Sequence, residues 1–498
     1  VYTVKTKHGG SIDKFKARLV AGGHIQTEGI DYDETYAPVS RHATVRTMFS
    51  VSAFRGWIVE QLDIKTAFLH GKVDTDIYMM QPPGFIDGQG KVVHVDKSIY
   101  GLKQAPRIWY ETMSKAIGLM GFTPVSADAS FWINTKGKCT VYLTSVVDDM
   151  LVTCEDHSIT KWYVDEILKI FPGTPLGRAR YYNGTKVTWL DDEHAVILSQ
   201  PKHIQKMVDR FSQIADLVTE RLLPCEQGLK LCATGVAGQA ESELLDTKEF
   251  NYRELIGGLN YVSCTSRHDI TFIVNHLSRY SHAPRQAHWD LAINVLRYLK
   301  HTINWGICLG AGSTFGDVYT TKADDYDKSN KRKVVAPPQA SDIETYADAN
   351  HGTSVDDKKS ITGVVIMVFG GPVLWCSKVQ PVTSLSTCES EFRAMSTASR
   401  ESMWIAKIIS LFGINIKPFK IMGDSISAIA SVKNYSYTKH TKHIEIHKDF
   451  MKDYYFKGVL DFIHVDGKWN TADILTKNMP RPQFEKFRRQ LGMRPALD

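Results

Sequence analysis

The chain has 498 residues, 43% hydrophobic and 23% charged, too long for one ordinary core and too apolar for a disordered or fibrous protein, so about two to four domains are expected. Its 60 Lys and Arg against 54 Asp and Glu leave a net charge of +6, which permits a nucleic-acid partner without requiring one. No run approaches the roughly 18 apolar residues of a membrane span, and eight scattered cysteines without a Cys-x-x-Cys pair suit a reduced, intracellular compartment.

No signal-peptide core opens the chain, and a start at Val1 inside a strand-like segment reads as a fragment of something longer. From Val1 to about Pro38, Lys5, Lys7, Lys14, Lys16 and Arg18 flank Gly9-Gly10 with alternation on both sides, which predicts a basic β-hairpin. A solvated edge hairpin has the same pattern. Trp57 to Asp63 is a β-rich run that ends on an acid, followed by helix-like Lys65 to Leu69. Val141 to Val147 and Met150 to Thr153 read as two apolar strands folded about Asp148-Asp149. Two adjacent carboxylates interrupting a buried hairpin are costly unless a cation neutralises them. Helical periodicity dominates from about Phe171 to Lys300, and 311–342 is polar and punctuated by Pro337-Pro338, a linker signature.

A further mixed α/β unit starts near Ile343, with strands over 343–349, 361–369 and 373–377 and a long helix over about 390–411. A strand over 419–423, helices over 425–432 and 443–455, a strand over 460–465 and a last helix from Thr471 complete it.

Two sets of acids suggest chemistry. Phosphoryl transfer with two divalent ions needs converging carboxylates about 3.5 to 4 Å from ion to ion, and Mg²⁺ favours such hard oxygen ligands. Asp63 at a strand end with Asp148-Asp149 in a hairpin is one such set, although an Asp-Asp pair in isolation is more often a solvated turn. The second set is Asp348 on a first strand, Glu391 opening a long helix, Asp424 ending a strand and Asp473 in the last helix.

The blocks Lys16-Ala17-Arg18-Leu19-Val20-Ala21, Gln61-Leu62-Asp63-Ile64-Lys65-Thr66-Ala67-Phe68-Leu69-His70-Gly71 and Tyr100-Gly101-Leu102-Lys103-Gln104-Ala105-Pro106-Arg107 lie in order before Val146-Val147-Asp148-Asp149. They closely resemble copia-type reverse transcriptases, the Pol polyprotein region of LTR retrotransposons. Tyr346-Ala347-Asp348-Ala349, Glu389-Ser390-Glu391-Phe392-Arg393-Ala394, Gly423-Asp424-Ser425 and Thr471-Ala472-Asp473-Ile474-Leu475-Thr476-Lys477 resemble the same family's ribonuclease H domain.

The resemblance implies an α/β (α+β) chain: a right-hand polymerase fold of fingers, palm and thumb/connection, then a ribonuclease H fold. Expected boundaries are fingers and palm at 1–172, thumb and connection at 173–310, a linker at 311–342, ribonuclease H at 343–478 and a C-terminal tail at 479–498. It implies Asp63, Asp148 and Asp149 as palm metal ligands. By the same likeness Arg18 holds the incoming triphosphate, Lys16 adds positive potential, Gln104 contacts the nucleotide near its sugar, and Phe68 is the steric gate against a ribose 2′-hydroxyl. Asp348, Glu391, Asp424 and Asp473 are implied as the nuclease ligands, with Glu389 an alternative to Glu391. His464 is implied as a product-release histidine, with a plain surface histidine as the alternative.

Expected cofactors are Mg²⁺ or Mn²⁺, two ions per site. Expected partners are an RNA template, a DNA primer, an RNA-DNA hybrid and deoxynucleoside triphosphates, with no membrane and an intracellular setting, cytoplasmic and particle-associated in the intact element, with a nuclear one as the alternative. The chain departs from the family at Val146, where tyrosine is usual, at His268 for proline and at Asn183 for leucine. A catalytically decayed or domesticated nucleic-acid-binding remnant is therefore the alternative reading. A host ribonuclease H with an unrelated N-terminal module is disfavoured by the ordered polymerase blocks. A zinc site at His440, His443 and His447 is set aside for want of a nearby cysteine, and no protease loop, zinc knuckle or integrase block is visible.

Overall fold

The structure is a computed structural model that describes residues 1–6, 12–310, 343–434 and 442–496. It divides into two compact units, Val1–Arg41 with Trp57–Ala179, and His42–Gly56 with Arg180–Asp498.

In the first unit six antiparallel strands form a sheet in the order Gly173–Arg178, Glu60–Ile64, Asp149–Thr153, Val141–Val146, Asp128–Asn134 and Thr123–Val125. Helices Ala105–Leu119 and His157–Ile170 supply Trp109, Met113, Ile117, Val164 and Ile167 to a core shared with Leu62, Ile64, Leu143, Met150 and Val152. Side chains alternate across a strand, so placing Leu62 and Ile64 in this core puts Asp63 on the opposite face. Strands Tyr2–Thr6 and Ile12–Ala17 pair as the expected hairpin, with Thr3 opposite Lys16; the predicted Gly9-Gly10 turn lies outside the described residues.

The second unit holds two five-stranded sheets. One is antiparallel, in the order Tyr181–Tyr182, Thr185–Leu190, Ala195–Ser199, Trp305–Leu309 and Met493–Pro495. The expectation of helix from about Phe171 is thus corrected over 173–199. Ala195–Ser199 is buried at every position, and a short run with no polar face does not distinguish strand from helix. Helices follow at Pro201–Phe211, Tyr252–Thr265, Thr271–Ser278 and Gln286–His301. Residues 479–496, expected as a tail, carry the helix Arg481–Gln490 and the edge strand Met493–Pro495. The expected linker at 311–342 lies outside the described residues.

The other sheet runs Gly371–Val379, Ile361–Val368, Ile343–Asn350, Phe419–Gly423, Leu460–His464. Its first two pairings are antiparallel and its last two parallel. Parallel pairing needs a crossover connection, and the long helix Thr387–Ser410 supplies the one leading into Phe419–Gly423. This is the ribonuclease H-type architecture the motifs imply. The two sheets meet at Gly371, where an added Cβ would lie 2.6 Å from the Leu309 Cα, so that only glycine fits without a shift of backbone.

Helix His42–Phe54 belongs to this second unit although its neighbours in sequence belong to the first. Arg46 explains its seat: the buried guanidinium donates to the carbonyls of Val373 at 2.7 Å and Cys264 at 2.8 Å and stacks over Trp375. Among the described residues no helix is long and apolar enough to cross a membrane.

Candidate catalytic centres

Asp348 lies on the central strand of the second unit's mixed sheet, Glu391 in the long helix and Asp424 just past the strand Phe419–Gly423. Ligand oxygens of all three lie within 4.8 Å of one another, the one such group of acidic, imidazole or thiol side chains among the described residues. Asp473, 2% exposed, sits in the short 3-10 helix Thr471–Leu475. The last helix expected from Thr471 is thus only this five-residue 3-10 element, and a separate α-helix follows at Arg481–Gln490.

The local bonds separate the two helix-start glutamates. Ser386 caps the helix by accepting the Glu389 N–H, while Glu389 accepts the Leu385 N–H at 2.8 Å and pairs with Arg393 at 2.9 Å. Glu391, just over half a turn on, reaches the acids instead, and one oxygen accepts the Ala349 N–H at 3.3 Å.

Electrostatically the group is unfinished. Burial first, then Asp348 and Asp424, push Glu391 up to about 9. Burial and Asp348 push Asp473 up to about 7 against the opposing pull of Lys477, whose ammonium lies 2.8 Å away. Burial and Asp348 also raise Asp424. Glu391 Oε2 and Asp473 Oδ1 are buried without a hydrogen-bond partner. Carboxylates in this arrangement repel unless protonated or joined by a cation, and the two orphaned oxygens are open valences for one, so the residues fit a metal ion.

Several supporting residues escaped the sequence reading. Thr476 donates to Asp348 Oδ2, Asn350 donates to the Thr476 carbonyl at 2.9 Å, and Asn470 donates to the Ala347 carbonyl at 3.0 Å. Adjacency of Thr476 and Lys477 to Asp473 was the available signal. His464 pairs in register with Gly423, next to Asp424. Of the set-aside zinc trio, His440 lies outside the described residues and His447 is hydrogen-bonded to Ser396 at 2.8 Å.

The first unit brings Asp63, Asp148 and Asp149 to one place by backbone pairing. Asp63 is the cross-strand partner of Asp149, which puts both on one face. Asp148 occupies the turn, and its carbonyl accepts the Ile64 N–H at 2.9 Å. Their carboxylates gather less closely than the nuclease group, and Gln61 donates to Asp149 at 3.4 Å.

Arg18, half-buried, lies 5.1 Å from the centre of the Tyr100 ring, whose other contact is the edge of Phe68 at 4.7 Å. Tyr100 was not singled out from sequence. Burial, Asp148 and Asp63 raise its hydroxyl pKa while Arg18 lowers it, so this ring senses both the acids and the arginine. Gly101 permits the approach: its φ is +97°, and a Cβ there would lie 2.1 Å from the Ala21 carbonyl. Phe68 itself is 9% exposed and belongs to the core. Lys16 is half-buried on its strand, beside Thr3.

Gln104 departs from its expected role. It is fully buried, accepts from Gln26 at 3.0 Å and donates to the Asp31 carbonyl at 2.8 Å, so both ends of its amide are spent on tying loops together. In this arrangement the Gln104 amide bridges loops, and the nucleotide contact implied by the resemblance is not among its bonds here.

The second unit thus gathers Asp348, Glu391 and Asp424, and the first pairs Asp63 with Asp149 beside Asp148. Residues 1–221 match the family described as reverse transcriptase (RNA-dependent DNA polymerase). Beyond that matched segment the whole chain is similar to copia-type Pol polyproteins, the group to which its motifs pointed. It is 31% identical over 497 residues to the retrovirus-related Pol polyprotein from transposon RE1 of Arabidopsis thaliana, covering 99% of this chain and 31% of that protein. It is 30% identical over 498 residues to that from transposon TNT 1-94 of Nicotiana tabacum, covering 99% and 35%. The chain thus spans about a third of the length of these relatives. A foamy viral protease-reverse transcriptase solved in complex with double-stranded DNA aligns with 93% of this chain and 64% of that one at a TM-score of 0.44 and 11% identity.

Proposed function

We propose that this chain is an RNA-directed DNA polymerase and a ribonuclease H, which copies an RNA template from a DNA primer and degrades the RNA of the resulting hybrid. The observation that carries the nuclease half is the trio Asp348, Glu391 and Asp424, two of them buried, with the unpartnered Glu391 Oε2 among them. Asp63, Asp148 and Asp149 support the polymerase half by sharing one sheet face and turn.

Each centre would hold Mg²⁺ or Mn²⁺, two ions in the full reaction: Asp63, Asp148 and Asp149 in the first, Asp348, Glu391, Asp424 and Asp473 in the second. Bound there, such ions activate the attacking oxygen and neutralise charge on the phosphate. Arg18 presents a fork of donors to the triphosphate. Phe68 and Tyr100 form a wall beside it, the place where a ribose 2′-hydroxyl is refused. Lys477 opposes the rise that burial and Asp348 impose on Asp473, and Thr476 holds Asp348 in orientation. Nucleic-acid phosphates meet the basic hairpin, so binding weakens as salt rises. A cytoplasmic, particle-associated setting belongs to the same proposal.

Val146 keeps a second reading in view, a folded remnant without polymerase activity. It pairs with Asp149, so a changed side chain there sits directly beside the catalytic turn. The test is primer extension on poly(rA)/oligo(dT) with Mg²⁺, with hybrid-RNA cleavage in parallel. Extension that disappears in D148N/D149N supports the polymerase. Extension found only in V146Y identifies an enzyme disabled at one contact. Failure of both variants and of cleavage leaves the remnant.

A further inference from the structure

The turn that carries Asp148 and Asp149 is under conformational tension. Val146 pairs with Asp149, so Val147 and Asp148 form a two-residue loop. Val147 has a φ of +58°, the left-handed region, in which a β-branched side chain is an outlier and glycine is the usual occupant of such a turn. A residue held there persists only when its surroundings enforce it.

One side chain supplies that enforcement. Trp109, 2% exposed on helix Ala105–Leu119, donates its indole N–H to the Val147 carbonyl at 2.7 Å. An indole N–H is a donor only, and this carbonyl satisfies it. The ring is itself immobilised, edge-on to Phe171 at 5.1 Å and beside His70 at 5.8 Å. Phe171 precedes Pro172, whose carbonyl accepts the Lys65 N–H at 2.9 Å, and Gly173 pairs with Ile64. The same ring therefore braces the end of the Asp63 strand and the turn between the other two acids. With the Asp148 carbonyl bonded to the Ile64 N–H, both carbonyls of the turn are fixed to the protein.

We propose that Trp109 is a positioning residue for the polymerase centre: its indole N–H holds the strained Val147 turn in the one conformation that sets Asp148 and Asp149 beside Asp63. This rests on the polymerase reading given above. It assigns a reason for tryptophan at this position that core packing alone does not, since phenylalanine also fills a core.

The test uses the whole chain with Trp109→Phe, Val147→Gly and the double variant. In metal-free protein, amide hydrogen exchange over residues 146–150 should speed up by about tenfold in W109F, the equivalent of one buried hydrogen bond lost. Exchange in the Ile343–Asn350 strand should not change. In primer extension kcat should fall by about the same factor while the KM for nucleotide moves little, and hybrid cleavage by the same chain should be unaffected. Glycine accepts the positive φ without strain, so W109F/V147G should recover part of the loss. Unchanged exchange and kcat in W109F, equal losses in both activities, or a double variant no better than W109F would each overturn the proposal. If hybrid is cleaved but neither the unmodified chain nor V146Y extends a primer, the polymerase reading falls and this role with it. That result is distinct from the others, because it appears before Trp109 is substituted.

Discussion

Glu391 enters its site with one oxygen bonded to a backbone N–H and the other bonded to nothing, among acids that oppose its ionisation. Its folded pKa is raised, to about 9, so its contribution to stability is present below the ordinary glutamate value of 4.5 and is lost as pH rises through about 9. In metal-free protein at neutral pH the residue is therefore a burden on the fold, and Glu391→Gln should raise the melting temperature. Added Mg²⁺ or Mn²⁺ should then raise the melting temperature of the unmodified chain more than that of the variant, by mass action on the folded state. Hybrid cleavage should fall in E391Q by more than the roughly 10–100-fold that losing an outer-shell partner costs. Primer extension should survive, because Asp63, Asp148 and Asp149 lie in the other unit. A variant that melts lower than the parent without metal would show that Glu391 is not held against like charge.

The helix Thr387–Ser410 shows what an element contributes to that residue. Its start is set by Ser386, whose hydroxyl accepts the Glu389 N–H at 3.1 Å, and the start decides which glutamate faces the acids. Ser386→Ala should cost about 1 kcal/mol in denaturant unfolding and lower cleavage through Glu391 without touching it. A fall in stability with no change in cleavage would separate the cap from the site. Much of this was readable in the chain: Glu391 through its motif, the N-terminal hairpin through alternation, and the strands that carry the acids through β-rich apolar runs. Other features were hidden for physical reasons. Ala195–Ser199 has no polar face to announce a strand, and Gln104 bonds to Gln26 and Asp31, partners that only folding reveals. Helix His42–Phe54 is buried by residues some three hundred positions further on, and no local pattern encodes such a partner.

At the scale of the molecule, the second unit closes on a buried polar network. Arg267 and Asp269, both fully buried, pair at 2.9 Å, Asp269 accepts from Tyr298, and Arg488 of the last helix donates to Tyr298 at 2.9 Å. Asp269→Asn leaves Arg267 buried without its counter-charge, and breaking a buried pair this way costs about 3–5 kcal/mol, read as an earlier denaturant midpoint for the second unit. His268 lies inside the same network, where proline is usual in the family, and makes the unit acid-sensitive. Burial, aided by Arg267 and Arg488 and opposed by Asp269 and the Leu491 carbonyl, lowers its pKa from 6.5 to about 4. A histidine whose folded pKa is lowered gives its full stability above the unfolded value and loses it as pH falls toward the folded one. The window is therefore pH 6.5 down to about 4, and the loss is about 3 kcal/mol at roughly 1.4 kcal/mol per pH unit. His42 and His276, also in the second unit, are lowered to about 4 by burial and act in the same direction. The acids around Glu391 act oppositely, so the sharp measurement is a difference: unfolding free energy of His268→Gln minus that of the unmodified chain, from pH 7 to pH 4. The variant should gain on its parent throughout that window. A difference that stays flat would mean that His268 takes up its proton while folded, and that the contact with the Leu491 carbonyl is strong enough to hold an imidazolium in the core.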